Sequence, residues 1–203
     1  MGLTNRAKSW LSTLSREKTL PTVEVEKILL DGGHTPHQVW LDFHENYGGY
    51  IEEVGPGDIA IWGLARGANP ATPLLWFKAE QVYIEPARKR FSEAILCADA
   101  HPTHGYELGS DGRFFGIGGP AESFVMKLER HGVLHDFHSR GKVRRTLLTH
   151  KSDEPEHVAL LNDMAPSLVH EASGRAKKLY LEERRLLEFC PFIKQLVMWE
   201  QVP

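Results

Sequence analysis

The sequence predicts an α+β fold with a mainly antiparallel central sheet flanked by helices. Three observations predict it. The stretch HTPHQVWLDFHENYGG, from residue 34, has apolar residues at helical spacing. The middle third contains short segments such as DIAIW and RFFGI, which are rich in β-branched and aromatic residues and are separated by Gly, Pro, Asn and Asp. A second helical pattern, PAESFVMKLERHG, follows these segments.

The chain divides into three predicted parts. Residues 1–20 form an N-terminal amphipathic helix, residues 21–135 an α+β domain, and residues 136–203 a C-terminal extension of mixed structure packed on that domain. At 203 residues the chain is long enough to bury a real core. The N-terminal segment lacks the continuous apolar stretch of a secretory signal. A membrane-surface or targeting helix stays an alternative for it.

The first long helix has start and stop signals. Thr35 is expected to cap it, Pro36 suits its first position, and Gly48 suits a left-handed exit. The residues expected to face the core are Trp40, Phe43 and Tyr47. The preceding segment, TVEVEKILLDGG, is ambiguous between helix and strand. The second helix is expected to begin near Pro120 and to end near Gly132.

Several strands are predicted on either side of that second helix. DIAIW, PLLWFKA, QVYIE, EAILCAD, GYEL and RFFGI are expected to pair antiparallel, with a turn at Asp111 and Gly112. Further on, Pro166 is expected to kink or end a helix. KKLYLEERRLLEF is interpreted as two strands about a turn at Glu182 and Glu183, with a charged helix as the alternative.

Composition and charge restrict the function classes. No apolar run approaches the roughly 18 residues of a membrane span. Cys97 and Cys190 are expected to be small core residues rather than a bridge, which favours a reducing, cytoplasmic compartment. The net charge of −3 conceals an acidic stretch between residues 28 and 65 and a basic stretch between residues 137 and 152. The acidic stretch argues against nucleic acid as a direct ligand.

One stretch has the residue types of a catalytic centre. CADAHPTHGYELGSDGRFFG contains Asp99, His101, His104 and Glu107, which suggest a metal-assisted hydrolase as an alternative function. The two histidines are three residues apart with a proline between them, which is a weak ligand spacing. There is no Gly-x-Ser-x-Gly element and no thiol-nucleophile signature. The sequence therefore predicts strands and connections here, with no catalytic residue, metal or cofactor.

Three segments together resemble the SUKH superfamily over about residues 21–135. They are the helix ending VWLDFHENYGG, the strands of EAILCADAHPTHGYELGSDGRFFG, and the helix ESFVMKLERHGVL. The matching positions are Tyr47, Gly48 and Gly49, then Cys97, Ala98 and Asp99, then Gly105, Asp111, Gly112, Ser123 and Phe124. HPTH departs from the family pattern, and the last 65 or so residues have no counterpart in it.

The resemblance implies a bacterial immunity protein: an α+β domain that binds a cognate toxin and blocks it without chemistry. A toxin nuclease with a basic cleft would suit the acidic stretch of this chain. The predicted toxin-binding residues are Asp42, Glu45, Tyr50, Glu52, Glu53 and Asp58. Trp62 is a further aromatic candidate, although its place in DIAIW favours the core. A regulatory module for another partner is the third hypothesis.

Overall fold

The α+β class is confirmed by a computed structural model, which describes residues 2–64, 94–99, 106–116, 119–121, 123–149, 155–175, 177–191 and 195–203. The helices are α1 (Asn5–Leu11), α2 (Thr22–Asp31), α3 (Gln38–Tyr47), α4 (Phe124–Ser139) and α5 (Pro155–Asp163). The strands are β1 (Ile51–Gly55), β2 (Asp58–Trp62), β3 (Ala94–Leu96), β4 (Ala98–Asp99), β5 (Glu107–Gly109), β6 (Phe114–Gly116), β7 (Gly119–Ala121), β8 (Val143–Thr149), β9 (Lys178–Leu181), β10 (Arg185–Cys190) and β11 (Gln195–Gln201).

The chain forms two compact units. The central unit is Leu14–Pro120, and the terminal unit combines Met1–Thr13 with Ala121–Pro203. These boundaries differ from the sequence division at residues 20 and 135, because α1 and α4 both belong to the terminal unit. The three-part domain division stays a prediction. Within the described residues the strands form three sheets rather than one central sheet.

Helices α2 and α3 begin the central unit. The ambiguous segment TVEVEKILLDGG is helical, with Val25 and Leu29 buried. Helix α3 begins later than predicted, because Thr35 and Pro36 precede it and the cap position is His37, which makes no side-chain capping bond. Trp40 and Phe43 are buried as predicted, and the Trp40 indole N–H donates to the Leu108 carbonyl over 3.0 Å.

The left-handed exit lies one residue beyond the predicted position. Gly48 has φ −59°, whereas Gly49 has φ +86°. A Cβ on Gly49 would lie 2.1 Å from the Glu17 carbonyl oxygen, since the Glu17 N–H donates to the Gly49 carbonyl over 2.8 Å. The second glycine of the pair is therefore required both by its backbone conformation and by the neighbouring chain.

The central unit contains two of the sheets. One has the order β1-β2-β4 and the other β3-β5-β6-β7, and every pairing recorded in register is antiparallel, as predicted. Asp111 and Gly112 form the β5–β6 turn, with Gly112 at φ +83°. The predicted strands PLLWFKA and QVYIE lie outside the described residues.

The sheet of the terminal unit has the order β8-β11-β10-β9 and apolar side chains on both faces. Adjacent residues of β10 show this, since Leu186 belongs to the cluster containing Phe137 of α4, and Leu187 to the cluster containing Met164. The predicted strands about Glu182 and Glu183 are confirmed as β9 and β10. Pro166 lies in a 3₁₀ turn just after α5, so it follows the end of that helix as predicted.

Helix α4 is longer than predicted and is shifted toward the C-terminus. Ser123 caps it, accepting a hydrogen bond from the Met126 N–H, and Pro120 belongs to β7. Gly132 lies inside the helix rather than at its end. A Cβ there would approach the Ala7 backbone nitrogen of α1 to 2.5 Å, so the glycine allows two helices to pack closely.

Candidate functional site

The outer side of α3 carries two of the predicted acidic residues. Trp40 and Phe43 are buried, and this burial leaves Asp42 and Glu45 exposed, as the helical spacing predicts. The Gln38 side-chain N–H donates to the Asp42 carboxylate over 2.7 Å. The guanidinium of Arg16 donates to the backbone carbonyl of Glu45 over 3.1 Å and not to its carboxylate. The side chain of Glu45 is exposed to solvent.

The β1–β2 hairpin separates the two glutamates that the sequence analysis grouped together. Glu52 lies opposite Ala60, and Glu53 lies opposite Ile59. Because successive side chains of a strand point to opposite faces, one glutamate faces inward and the other outward. Glu52 is 5% exposed, so its predicted place on an exposed acidic face is corrected. Glu53 is exposed.

The two aromatic candidates lie on the inner face of the hairpin. Trp62 is 1% exposed, in agreement with the expectation that it belongs to the core. Tyr50 is half-buried, with its ring centroid 5.8 Å from that of Trp62 and the Arg16 guanidinium 4.8 Å above it. Tyr50 thus packs between a core indole and a cation, which limits the area it offers to a partner.

Ile59 is an exposed residue that the sequence analysis missed. Its side chain is 49% exposed, directly across the strand pair from Glu53. The alternation of DIAIW carried only part of the signal: a buried Trp62 places Ala60 inward and Ile59 on the other face, but Ile61 shares that face and is 5% exposed. The outer face of the hairpin therefore combines an apolar side chain with a carboxylate.

We use the name acidic surface for Asp42 and Glu45 of α3 together with Glu53, Asp58 and Ile59 of the hairpin. Asp42, Glu45 and Glu53 are exposed, whereas Asp58 is half-buried at the start of β2 and has the strand parity of Ala60 and Trp62. In the described part of the chain, none of the four carboxylates forms an ion pair. Their negative charge is therefore not neutralised by the basic residues described here.

Glu52 instead organises a buried polar cluster. Its Oε2 accepts hydrogen bonds from the Trp62 indole N–H over 3.1 Å and from the Tyr106 hydroxyl over 2.9 Å. Burial, followed by the charge and hydrogen bond of Glu52, raises the pKa of Tyr106 above its ordinary value. The phenol therefore stays protonated and acts as a donor. The cluster joins β1, β2 and the residue preceding β5.

His44 is a second buried polar residue of the central unit. Its Nδ1 accepts from the Leu64 N–H over 3.1 Å, and its Nε2 lies 2.8 Å from the Leu20 carbonyl oxygen. This pair of partners requires the neutral tautomer with the proton on Nε2. Burial lowers the pKa of His44, with the Arg16 charge acting in the same direction. His44 thus links the backbone at Leu20 to the backbone at Leu64 and is buried between them.

The predicted metal cluster is only partly within the described residues. Asp99 ends β4 and Glu107 begins β5, where it is half-buried, whereas His101 and His104 lie outside the described residues. Among the residues that the structure does describe, no group of three His, Cys, Asp or Glu side chains is arranged to hold a metal. Cys97 and Cys190 are both thiols rather than a disulfide.

Comparisons with known protein families, with curated proteins and with solved structures find no match to this chain. Within the described residues, none of the helices has the length and apolar character needed to cross a membrane.

Proposed function

We propose that this protein is a cytoplasmic immunity protein that binds a cognate toxin through the acidic surface and neutralises it without catalysis. The observation that carries the proposal is the outer face of the hairpin, where exposed Glu53 and half-exposed Ile59 lie side by side. The resemblance to the SUKH superfamily supports the same function. The toxin is expected to present a basic surface, as a nuclease does.

The composition of the acidic surface suits protein binding. Apolar side chains that become buried supply much of the affinity of an interface, and surrounding charges accelerate association and select the partner. Ile59 has the first role in the proposal. Glu53, Asp42 and Glu45 have the second, and their lack of ion pairs within the described chain leaves their charge available to a cationic partner.

Neutralisation would follow from occupation of the toxin's cleft. A carboxylate surface resembles the phosphate backbone that a nuclease cleft binds, so the protein would compete with the nucleic acid by charge and by steric exclusion. The enclosed groups, Glu52, Tyr106 and His44, would maintain the shape of the central unit and take no direct part in binding.

Co-expression tests the proposal. The chain is expressed with a toxin candidate encoded beside its gene, and growth and co-purification are measured. We expect rescue of growth and a stable complex with the unmodified protein. Ile59→Asp and the charge reversal Glu53→Lys should each weaken the complex at least about tenfold, since the few residues that dominate an interface cost about 2 kcal/mol or more when they are replaced.

Glu183→Lys is the matched control, because Glu183 is an exposed glutamate in the terminal unit. It should leave rescue unchanged. A complex without growth rescue would favour the regulatory module over the immunity protein. Equal loss of binding in Glu53→Lys and Glu183→Lys would show that only net charge matters and would overturn the assigned surface.

A further inference from the structure

The sheet of the terminal unit has one edge that its own chain covers. Outside β9, Leu168 forms an antiparallel bridge with Tyr180. The Val169 N–H donates to the Leu179 carbonyl over 2.8 Å, and the Leu179 N–H donates to the Ser173 hydroxyl over 2.9 Å. The backbone groups at this edge are thereby satisfied internally, which prevents further strands from adding there.

The opposite edge is formed by a longer strand, β8. Strand β8 has seven residues and, in the described part of the chain, a neighbouring strand on one side alone, which is β11. The Val202 N–H donates to the Lys142 carbonyl over 3.0 Å. This bond shows that the backbone groups of Lys142 point toward the β11 side. Because antiparallel backbone groups alternate in direction, those of Val143, Arg145 and Leu147 point away from β11.

Basic side chains surround this edge. From residue 140 to 149 the chain has four basic residues and no acidic one, namely Arg140, Lys142, Arg144 and Arg145. Arg144 pairs with Glu200 and Arg140 with Asp136. Lys142 and Arg145 are exposed, and neither forms an ion pair within the described residues. The side chain of Leu147, further along the strand, is 46% exposed.

We infer that the β8 edge binds an extended acidic segment of a partner protein, which adds to the sheet as a fifth strand. The outward backbone groups of Val143, Arg145 and Leu147 would supply hydrogen bonds, as in other cases of strand addition. Carboxylates of the segment would meet Lys142 and Arg145, and an apolar side chain would cover Leu147. The inference goes beyond the proposed toxin binding, because it uses the terminal unit and a partner surface of opposite charge.

A second copy of the chain suits this edge less well. Pairing two β8 strands would bring their arginines together, and like charges on adjacent strands are destabilising. Positive charge on an edge strand also discourages self-association. The same charges therefore select an acidic partner strand over another β8.

The probe is a fluorescein-labelled eight-residue peptide of sequence Glu-Glu-Val-Val-Glu-Glu-Val-Val, which places glutamate and valine on both faces of a strand, because Arg145 and Leu147 share one face of β8 and Lys142 has the opposite parity. Its binding to the full chain is followed by fluorescence anisotropy. A second peptide carries an N-methyl group on every residue, which removes the N–H donors of both edges and keeps the charge. A third has lysine in place of glutamate. We expect saturable binding of the first peptide alone, and protection of the Val143, Arg145 and Leu147 amides in NMR hydrogen exchange.

Two variants at position 145 distinguish the contribution of the backbone N–H from that of the side-chain charge, because both remove the guanidinium and only proline also removes the N–H. Arg145→Pro removes an outward N–H without removing a bond to β11, which an edge strand tolerates. Arg145→Ala keeps the N–H and removes the charge. We expect about tenfold weaker binding for Arg145→Pro and about threefold for Arg145→Ala, in line with the modest net contribution of one hydrogen bond or one exposed charge.

Unchanged NMR signals from the residues of β11 would show that the Arg145→Pro protein is folded. If it does not fold, the comparison of the three peptides with the unmodified protein still tests the inference. If the N-methylated peptide binds as tightly as the first peptide, the interaction depends on charge alone, and strand addition is overturned. No saturable binding up to about 1 mM, a range in which even weak complexes form, would also overturn the inference. A concentration-dependent dimer with mutual protection of β8 would assign the edge to a second copy.

Discussion

The two units of the molecule each bury some charged residues and expose others. The central unit encloses the Glu52 carboxylate between an indole and a phenol and exposes Glu53 next to it. The terminal unit encloses both signs, since Glu129 is 3% and Arg130 is 7% exposed. The Arg130 guanidinium donates to the Ala172 carbonyl over 2.9 Å, while Arg145 is exposed on β8. In both units, the position of a charged residue on a strand or helix face decides whether it maintains the fold or is available for binding.

The largest expected effect comes from the enclosed carboxylate. Glu52→Ala leaves the Trp62 and Tyr106 donors without this acceptor, which is expected to reduce the free energy of unfolding by about 3 kcal/mol. Glu53→Ala, one residue along the same strand, should change it by less than about 0.5 kcal/mol. Urea denaturation followed by tryptophan fluorescence measures both. Similar losses for the two variants would contradict the assignment of opposite faces.

The terminal unit offers a test of close helix packing. In an exposed helix Gly→Ala is stabilising by about 1 kcal/mol. Gly132→Ala is expected to act in the opposite direction and to destabilise by about 2 kcal/mol, because the added methyl group would approach the Ala7 backbone to 2.5 Å. Thermal unfolding followed by circular dichroism decides the sign. A stabilised Gly132→Ala protein would show that α1 and α4 are further apart than described.

The smallest expected effect is a pH dependence shared by the two units. Burial lowers the pKa of His44 in the central unit, and burial followed by the His135 charge lowers that of His138 in the terminal unit. Below the ordinary value of 6.5 the unfolded chain therefore binds more protons than the folded chain. The free energy of unfolding should be level above about pH 6.5 and fall on acidification below it.

His44→Gln removes one of these two groups and should flatten the acid limb of that profile, even though the variant is less stable overall. His170→Gln, at an exposed position, is the control and should leave the profile unchanged. Denaturant titrations at a series of pH values measure the slopes. An unaltered slope in His44→Gln would contradict the neutral, enclosed state of His44.

Local patterns predicted much of this fold. The core face of α3, the Asp111–Gly112 turn and the β9–β10 pair each follow from residues close in sequence. Other features depend on distant packing. Gly132 has the sequence signature of a helix end and lies inside α4 because α1 passes over it. β8 and β11 were not predicted, since a sheet covered on both faces shows no clear alternation.

The candidate site was predicted only in part for a similar reason. A run of acids predicts negative charge, and helical spacing placed Asp42 and Glu45 outward correctly. Adjacent strand residues such as Glu52 and Glu53 cannot both lie on one face of the strand. Which of the two faces inward depends on the contacts with Trp62 and Tyr106, and the positions of those residues depend on strand pairing. Local sequence does not contain that information.

Toxin binding by the acidic surface is tested by the rate at which the protein associates with a purified toxin domain encoded beside its gene, measured by stopped flow at low and high salt. If the acidic surface binds the partner, association is fast and salt-dependent, Glu53→Lys slows it about tenfold, and Glu183→Lys leaves it unchanged. Association that is insensitive to salt and equal for the two variants would contradict the claim that the acidic surface binds the partner.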